Sequence, residues 1–369
     1  MRFTVETSVF MEAINIASRA VASKSPMSVL EGLLIEADSC VKITGHDLKK
    51  SIYTKIDANI YEQGKCVVNT KLLSEMIRRF PDGIVEFYKD EKTNSITVNC
   101  GKSHFSIMGL EVSEYPEIPT FSELNNITVA QGLLKEMIAR TLFAVSKDES
   151  RPVYTGSLFE IEDTTITIVS IDGYRMAIRS ADIKNINKEN CTFIVPGFAL
   201  TDIEKICGDN EDPVQITVGE KHIKFNIDNT ELITRRIEGE FLNYRKSIPS
   251  TYRYELIVDK KEFASTIERV SLMLTEGNST PIKMTFNENI IECQSITPVG
   301  KAEDACPCQG FAEGLVIGFN NRYFIEALKN AEGDELKLCI NTTTAPCIIK
   351  CAQNEDLYTY MILPVRLRQ

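Results

Sequence analysis

The sequence predicts an α+β protein of three similar domains, in which helices cover one face of mainly antiparallel sheets. The first observation behind this prediction is a unit of strand, helix and paired strands that recurs along the 369 residues. The second is that helices come singly between runs of adjacent strands, whereas parallel strands need a crossover after each strand. The third is length, because a chain of this size exceeds a single hydrophobic core.

Three segments of the chain open in the same way, with a short strand, a helix and then paired strands. The opening strands contain Val5, Val129 and Val258, which lie 124 and 129 residues apart. That spacing is the size of a domain. The three helices are predicted over residues 8–21, 131–145 and 260–272.

Each segment then repeats the unit once more, so that the chain holds six copies, two in each domain. The second helices are predicted over residues 71–80, 197–207 and 322–330. A tail marked by proline closes each segment, and polar or proline-bearing linkers fall near residues 121–126 and 249–253. The predicted domains are therefore residues 1–122, 123–250 and 251–369.

The predicted helices are basic in a chain that is acidic as a whole. Each has an apolar stripe, such as Leu73, Met76 and Phe80, that indicates packing on a sheet. Counted over residues 8–21, 70–80, 130–145, 197–207, 259–272 and 320–330, twelve Lys or Arg stand against nine Asp or Glu, although the whole chain has a formal charge of −11. Such an acidic chain does not simply adhere to nucleic acid, so any DNA contact should be local or topological. The same numbers of charged residues are also expected if the helices only expose a face of mixed charge to solvent.

The composition predicts a soluble cytoplasmic protein without a cofactor. No stretch approaches the roughly 18 apolar residues of a membrane span, and the first residues lack the apolar core of a signal peptide. The eleven cysteines lie mostly in strand-like runs, as expected of reduced, buried thiols. Cys306 and Cys308, with Cys293 nearby in sequence, supply fewer than the four ligands that zinc usually takes.

Four local motifs stand at intervals along the chain. They are Thr44-Gly45-His46-Asp47-Leu48, Ile171-Asp172-Gly173-Tyr174-Arg175-Met176-Ala177, Phe241-Leu242-Asn243-Tyr244-Arg245 and Leu363-Pro364-Val365-Arg366-Leu367. Together and in this order they resemble the bacterial sliding clamp family, the beta subunits of DNA polymerase III, over essentially the whole chain. The resemblance implies the DNA-clamp fold and a processivity factor for DNA replication, which encircles duplex DNA as a ring-shaped, head-to-tail homodimer and catalyses nothing.

The resemblance also implies three sets of functional residues. The dimer interface would join Phe105 and Ile107 of one copy to Leu272 and Met273 of the other, although all four also suit an internal core. The positions facing double-stranded DNA would be Lys24, Arg78, Arg79, Lys135, Arg140, Lys147, Arg151, Lys205 and Arg269.

The third implied set is a groove that binds short peptide motifs of the replicative polymerase, the clamp loader and repair proteins. Its residues would be Tyr154, Ile171, Gly173, Tyr174, Arg175, Met176, Leu242, Lys246, Ser247, Ala345, Cys347, Met361, Leu363, Pro364, Val365 and Arg366. Leu363 and Val365 also suit a buried C-terminal strand.

The chain departs from the common family pattern within this groove. Tyr174 stands where many clamps have His, Tyr154 where Leu is frequent, and Lys246-Ser247 where a basic residue precedes an apolar one. Arg368 and Gln369 extend past the usual last Leu. The peptide preference of the groove therefore stays open.

Two other classes of protein compete with a clamp. A repeat scaffold that binds peptides without encircling DNA has the same sequence pattern. An enzyme fits less well, because the three histidines, His46, His104 and His222, stand in no metal-binding or nucleophile pattern. Gly101-Lys102-Ser103 resembles the end of a phosphate-binding loop, but Ile96 stands where that loop needs its first glycine.

Overall fold

The computed structural model describes residues 1–119, 122, 124–183, 190–274 and 281–367. Thr120, Phe121 and Glu123, at the first predicted linker, lie outside the described residues, and so do Arg368 and Gln369. The α-helices of the described ranges are α1 (Thr7–Ala17), α2 (Thr70–Arg78), α3 (Gln131–Ala139), α4 (Gly197–Ile206), α5 (Lys260–Ser271) and α6 (Asn321–Asn330).

The strands of the described ranges outnumber the helices about four to one, as the repeated unit predicts. They are β1 (Arg2–Glu6), β2 (Gly32–Ala37), β3 (Val41–His46), β4 (Lys50–Ile56), β5 (Asn59–Glu62), β6 (Gly64–Asn69), β7 (Ile84–Lys89), β8 (Ser95–Cys100), β9 (Ser103–Met108), β10 (Asn125–Ala130), β11 (Gly156–Glu162), β12 (Thr165–Ile171), β13 (Arg175–Asp182), β14 (Cys191–Pro196), β15 (Pro213–Val218), β16 (His222–Ile227), β17 (Thr230–Arg235), β18 (Tyr254–Asp259), β19 (Ile282–Asn287), β20 (Ile290–Thr297), β21 (Gly300–Pro307), β22 (Leu315–Phe319), β23 (Glu335–Ile340), β24 (Cys347–Cys351) and β25 (Tyr358–Ile362).

The predicted helices all form, and most end within two residues of the predicted position, but the first and third end well before it. The helix predicted over residues 131–145 ends as α3 at Ala139. The Thr141 hydroxyl then donates to the Met137 carbonyl at 2.8 Å, and the Thr141 N–H bonds to Ile138 in a tighter, three-residue pattern. The helix predicted over residues 8–21 likewise ends at Ala17 and continues as the 3₁₀ turn Ser18–Ala20.

The first of two compact units comprises residues 1–135 and 202–236. It contains a five-stranded sheet in the order β5-β1-β7-β8-β9 and an eight-stranded sheet in the order β10-β15-β16-β17-β4-β3-β2-β6. Helices α1 and α2 share one hydrophobic core with first-domain strands of both sheets. This core includes Phe3, Phe10 and Phe87. The Phe3 and Phe87 rings stack with their centroids 4.9 Å apart.

The second compact unit comprises residues 136–201 and 237–369. It contains an eight-stranded sheet in the order β14-β11-β12-β13-β25-β24-β23-β18 and a four-stranded sheet in the order β21-β20-β19-β22. Its largest core joins α5 and α6 to these sheets through Phe263, Phe319 and Phe324. The Phe319 and Phe324 rings meet edge to face at 4.9 Å.

All pairings between these strands are antiparallel, which confirms the predicted α+β class. The helix starts follow from capping residues. The side chains of Asn69, Asp259 and Asn320 accept hydrogen bonds from the first-turn N–H groups of α2, α5 and α6. The longest α-helix described, α5, has 12 residues, and none of the described helices has the length and hydropathy of a membrane span.

Candidate functional site

The candidate site lies on one face of the eight-stranded sheet of the second unit. Side chains alternate between the two faces of a strand. On β13, Met176 and Ile178 therefore point to the face opposite α5 and α6, while Arg175 and Ala177 point toward the helices. Buried apolar side chains on the helix-free face form what we call the outer cluster: Leu158, Val169, Ile171, Met176, Ile178, Ile194, Tyr244, Cys339, Ile348 and Met361.

Two 3₁₀ turns form the rim of the outer cluster. The turn Pro152–Thr155 places Tyr154 against the cluster, and the segment before the turn Tyr244–Ser247 adds Phe241. The Tyr154 and Phe241 rings meet edge to face with their centroids 5.8 Å apart. Both side chains are half-buried, so the rim keeps apolar surface in contact with solvent.

The second of these turns is held to the sheet by polar contacts. The Tyr244 hydroxyl donates to Glu160, and Arg245 forms ion pairs with Glu160 at 3.0 Å and with Glu162 at 3.1 Å. Burial, reinforced by the hydrogen bond to Glu160, raises the pKa of Tyr244 above its usual range. The hydroxyl therefore stays protonated and remains a donor at neutral pH.

Backbone hydrogen bonds hold the segment after β25 at two points. The Leu363 N–H donates to the Tyr174 carbonyl at 2.9 Å, and the Val365 N–H donates to the Gly318 carbonyl at 2.8 Å. The Tyr174 side chain is 63% exposed, and its ring stacks on Tyr323 at 6.4 Å. Backbone bonds thus fix the C-terminal segment and leave its side chains available.

The structure brings five of the predicted groove residues together at the outer cluster. Ile171, Met176 and Met361 belong to the outer cluster, with Tyr154 and Leu363 packed on it. The remaining groove residues that are exposed are Gly173, Tyr174, Leu242, Lys246, Val365 and Arg366. Those that are half-buried are Ser247, Ala345 and Pro364.

Two predicted groove residues lie on the other face of the sheet. Cys347 is fully buried in the core with α5 and α6, while its neighbour Ile348 faces the outer cluster. Arg175 likewise points away from the outer cluster, next to Met176, which belongs to it. Arg175 stood in a contiguous motif and Cys347 was implied by the resemblance, whereas the two-residue period of a strand turns both side chains away from the outer cluster.

Arg175 is instead the centre of a buried polar network. The residue is 8% exposed. Its guanidinium pairs with Asp172 at 2.9 Å and with Glu326, and it donates to the Phe143 carbonyl at 2.6 Å. The same group lies over the Tyr323 ring, 4.6 Å from the centroid. Arg175 therefore joins β13 to α6 within the second unit.

Several rim residues were missed in the sequence. Val153, Phe241, Ile248 and Tyr252 are partly buried and pack on the outer cluster. Phe241 adjoins Leu242 in a motif that had been recognised, and Val153 adjoins Tyr154. The apolar character of these neighbours was the available signal.

The basic residues predicted to face DNA divide into two groups. Within the described ranges, three of them form ion pairs: Lys135 with Asp209 at 2.8 Å, Arg140 with Glu136 at 3.3 Å, and Arg269 with Asp304. Arg140 also donates to the Asn330 carbonyl at 2.8 Å. The exposed residues with no ion pair to another described residue are Lys24, Arg78, Arg79, Lys147, Arg151 and Lys205.

The residues predicted for the dimer interface lie at the surface more than in a core. Phe105 is 40% exposed on β9, an outer strand of its sheet, and Leu272 is 78% exposed at the end of α5. Ile107 packs on the core of the first unit, and Met273 is half-buried. Further exposed apolar side chains are Met108 on β9 and Ile296 and Val299 in the hairpin of β20 and β21.

Comparisons with known proteins cover the whole chain. Profiles of the DNA polymerase III beta subunit match its N-terminal, central and C-terminal domains at residues 1–119, 128–243 and 245–366. The beta sliding clamp of Staphylococcus aureus is 30% identical over 377 residues, which cover 99% of each chain. That of Bacillus subtilis is 30% identical over 378 residues, 99% of this chain and 100% of the relative.

Solved structures agree with the sequence comparisons. A putative DNA polymerase III beta subunit from Eubacterium rectale is 31% identical, with a TM-score of 0.93 over 99% of both chains. The DNA polymerase sliding clamp of Bacillus subtilis is 30% identical, with a TM-score of 0.94 over 100% of both chains. The chain therefore belongs to the DNA polymerase III beta subunit family, the bacterial sliding clamps, and has their three-domain α+β fold.

Proposed function

We propose that this chain is a DNA sliding clamp, a processivity factor that encircles duplex DNA as a head-to-tail homodimer and tethers the replicative polymerase. The observation that carries the proposal is membership of the sliding clamp family over all three domains. The domains are assigned to residues 1–122, 123–250 and 251–369. A closed ring needs complementary surfaces, here one on the first domain and one on the third. Exposed Phe105 and Leu272 supply apolar surface on these two domains.

Retention on DNA by enclosure agrees with the distribution of charge. The whole chain is acidic, with a formal charge of −11, so it repels DNA from most of its surface. Arg78 and Arg79 at the end of α2, and Lys205 on α4, offer exposed cations to phosphates. A few such contacts give weak, sequence-independent and salt-dependent attraction, which permits sliding.

We also infer that the chain has no catalytic activity of its own. The imidazole of His46 bonds to the Lys50 carbonyl, and that of His104 bonds to Asn99. These contacts hold the rings in strand environments and join them to no nucleophile. A chain that acts by enclosure needs only the duplex, its second copy and partner proteins.

Retention on DNA is tested by comparing the circular and the linear form of the same DNA. Loaded onto nicked circular DNA by a clamp loader, the protein is expected to remain bound through gel filtration, because a ring cannot leave a closed circle. Cutting the circle with a restriction enzyme should release it within the time of the column run. Equal loss from both DNAs, or a monomer in light scattering, contradicts the proposal and favours a non-encircling scaffold.

The rim of the outer cluster is the proposed docking site for short peptide motifs of polymerases, the clamp loader and repair proteins. Tyr154 and Leu363 would contact apolar anchors of the peptide, because they retain solvent contact beside a buried apolar base. Exposed Val365, two residues after Leu363, would add a further apolar contact. Met361 in that base is an adaptable side chain suited to loosely similar ligands. Arg175 and Cys347 would support the site from the opposite face.

Truncation after Ile362 is expected to abolish binding of a polymerase-derived peptide while the dimer persists. The cut removes Leu363 and Val365 and the backbone bond to Tyr174, but none of the proposed dimer residues. The point variant Leu363→Glu should weaken peptide binding by about 30-fold or more, as expected when an interface anchor is lost. Fluorescence anisotropy measures the binding, and light scattering measures the dimer.

The matched control for this experiment is Phe311→Glu, which places the same charge on an exposed aromatic residue outside the outer cluster. This variant should bind the peptide like the unmodified protein. Unchanged binding after the truncation would remove the C-terminal segment from the docking site.

A further inference from the structure

The first unit contains a cavity of about 440 Å³ that the sliding mechanism does not use. It forms where four neighbouring strands of the eight-stranded sheet begin or end: β3 ends at His46, β4 begins at Lys50, β16 begins at His222 and β17 ends at Arg235. Segment 116–119 completes the lining. The register places His46 beside Ser51 and His222 beside Arg235.

The cavity opens on the sheet face opposite α1. On β3, Ile43 belongs to the core that contains Phe10 of α1, so the alternation of the strand turns His46 the other way. Lys50 confirms the alternation on β4, because its ammonium pairs with Asp202 of α4 while Ser51 lies on the cavity side. In the proposed ring the helices face the duplex, so a ligand of this cavity would not be the encircled DNA.

Cationic groups dominate the lining of the cavity. Lys49 and Arg235 are exposed and form no ion pair with another residue of the described ranges. His46 and His222 add two imidazoles, and Glu117 is the only carboxylate in the lining that the structure describes. Lys50 also belongs to the lining, but its ammonium pairs with Asp202. Charged neighbours beyond the lining include Asp47 next to His46 and Lys221 next to His222.

The two imidazoles are held mostly uncharged by their surroundings. Burial lowers the pKa of His46 despite the hydrogen bond to the Lys50 carbonyl and the nearby Asp47. Burial, with Arg235 and Lys221, lowers the pKa of His222. The His46 Nδ1 lies 3.0 Å from the Lys50 carbonyl, so Nδ1 carries the proton in the neutral ring. A bound anion would favour the doubly protonated form of both rings.

An unsatisfied hydroxyl provides the second, independent observation. Ser51 lines the cavity and is only 2% exposed. Its Oγ has no hydrogen-bond partner within the described residues. A buried hydroxyl without a partner lowers stability, and a bound ligand that accepts its hydrogen bond removes that cost.

We infer that this cavity is a binding site for a small tetrahedral oxyanion of the phosphate class. Arg235 offers the planar fork of donors that suits phosphate oxygens, Lys49 adds a mobile cation, and Ser51 offers an unused hydroxyl. A tetrahedral dianion has enough acceptor atoms for all three and for the imidazoles. The phosphate could be free or could belong to a single strand of nucleic acid, since both present the same group.

The test uses the full-length protein with its histidines labelled at Cε1 for NMR. Because the chain has three histidines, each resonance is assigned by a single His→Gln variant, and exposed His104 is the internal reference. Inorganic phosphate, pyrophosphate and a short single-stranded oligonucleotide are titrated separately. We expect phosphate and pyrophosphate to shift the His46 and His222 resonances saturably and to leave His104 unmoved. Shifts from the oligonucleotide alone would assign the site to nucleic acid.

The pH dependence is measured with sulfate, because this ion stays dianionic between pH 6 and 8. Affinity should rise as the pH falls, since bound sulfate favours protonation of both rings. An affinity that is constant or that falls would contradict the involvement of the imidazoles.

Three variants separate binding from folding. Arg235→Gln should weaken phosphate binding about tenfold or more, because an ionic hydrogen-bonding partner is lost. Ser51→Ala should also weaken phosphate binding. It should leave the thermal midpoint of unfolding unchanged or raise it, because it removes an unsatisfied buried hydroxyl. Lys92→Gln, an exposed lysine outside the cavity lining, is the control and should bind normally. Equal phosphate affinity in all three variants, or equal shifts with chloride, would overturn the proposal.

Discussion

Replacing Leu272 by Glu is expected to convert the proposed dimer into a monomer. Leu272 is 78% exposed at the end of α5, where an apolar side chain gains little unless a second copy covers it. A carboxylate there would be buried without a partner. Loss of such a central contact typically costs about 2–4 kcal/mol, which is about 30- to 1,000-fold in the dimer dissociation constant.

Sedimentation equilibrium of Leu272→Glu measures this effect, and Phe311→Glu is the control because Phe311 is also exposed in the second unit. The control variant should remain dimeric. In the DNA experiment, Leu272→Glu should also leave nicked circles as fast as linear DNA. A Leu272→Glu dimer as tight as the unmodified one would show that Leu272 lies outside the interface.

Replacing Arg175 by Met is expected to destabilise the protein by about 3–5 kcal/mol, since removing one partner leaves buried charges uncompensated. Arg175 is 8% exposed and forms ion pairs with Asp172 and Glu326. It also satisfies the Phe143 carbonyl at 2.6 Å. Urea unfolding followed by circular dichroism measures the change.

Arg322→Met is the matched control because Arg322 pairs with the same Glu326 at 2.7 Å from an exposed position. An exposed pair at this helical spacing is worth only about 0.3–0.5 kcal/mol. The two arginine variants should therefore differ about tenfold in their effect on the free energy of unfolding. Equal effects would mean that the buried network around Arg175 adds nothing beyond a surface ion pair.

The same network predicts a pH dependence. Burial by itself raises the pKa of Glu326, but hydrogen bonds from Arg322 and Arg175 outweigh it and hold the pKa below the usual 4.5. A carboxyl whose pKa is lower in the folded state adds stability above its unfolded pKa, and this stability is lost as the pH falls through the folded value. Arg175→Met should therefore lose less stability than the unmodified protein between pH 5 and pH 3, as measured by thermal unfolding.

The fold could be predicted because its evidence is local in sequence. The strands around Val5, Val129 and Val258 and the six helices are visible in hydrophobic periodicity and breaker residues. Helix ends were less accurate. The helix predicted through residue 145 stops at Ala139, because the Thr141 hydroxyl competes for backbone carbonyls in a way that periodicity does not reveal.

The candidate groove could be predicted only in part, because a contiguous motif ignores which way each side chain points. Met176 and Arg175 are neighbours in sequence, but one belongs to the outer cluster and the other to a network on the opposite face. The rim depends on Tyr154 meeting Phe241, two residues from separate segments of the chain. Their contact requires the folded sheet.

The sequence by itself determined the repeated unit, the α+β class and the segments that supply the site, since these depend on periodicity, turns and local motifs. Only the tertiary structure decided which side chains share a surface. The pairing of β13 with β25 sets Met176 beside Met361, 185 positions later in the chain. The pairing of β4 with β17 likewise creates the cationic cavity around Ser51. Long-range strand register is the physical cause in both cases, because a shift of one residue would turn every side chain to the other face.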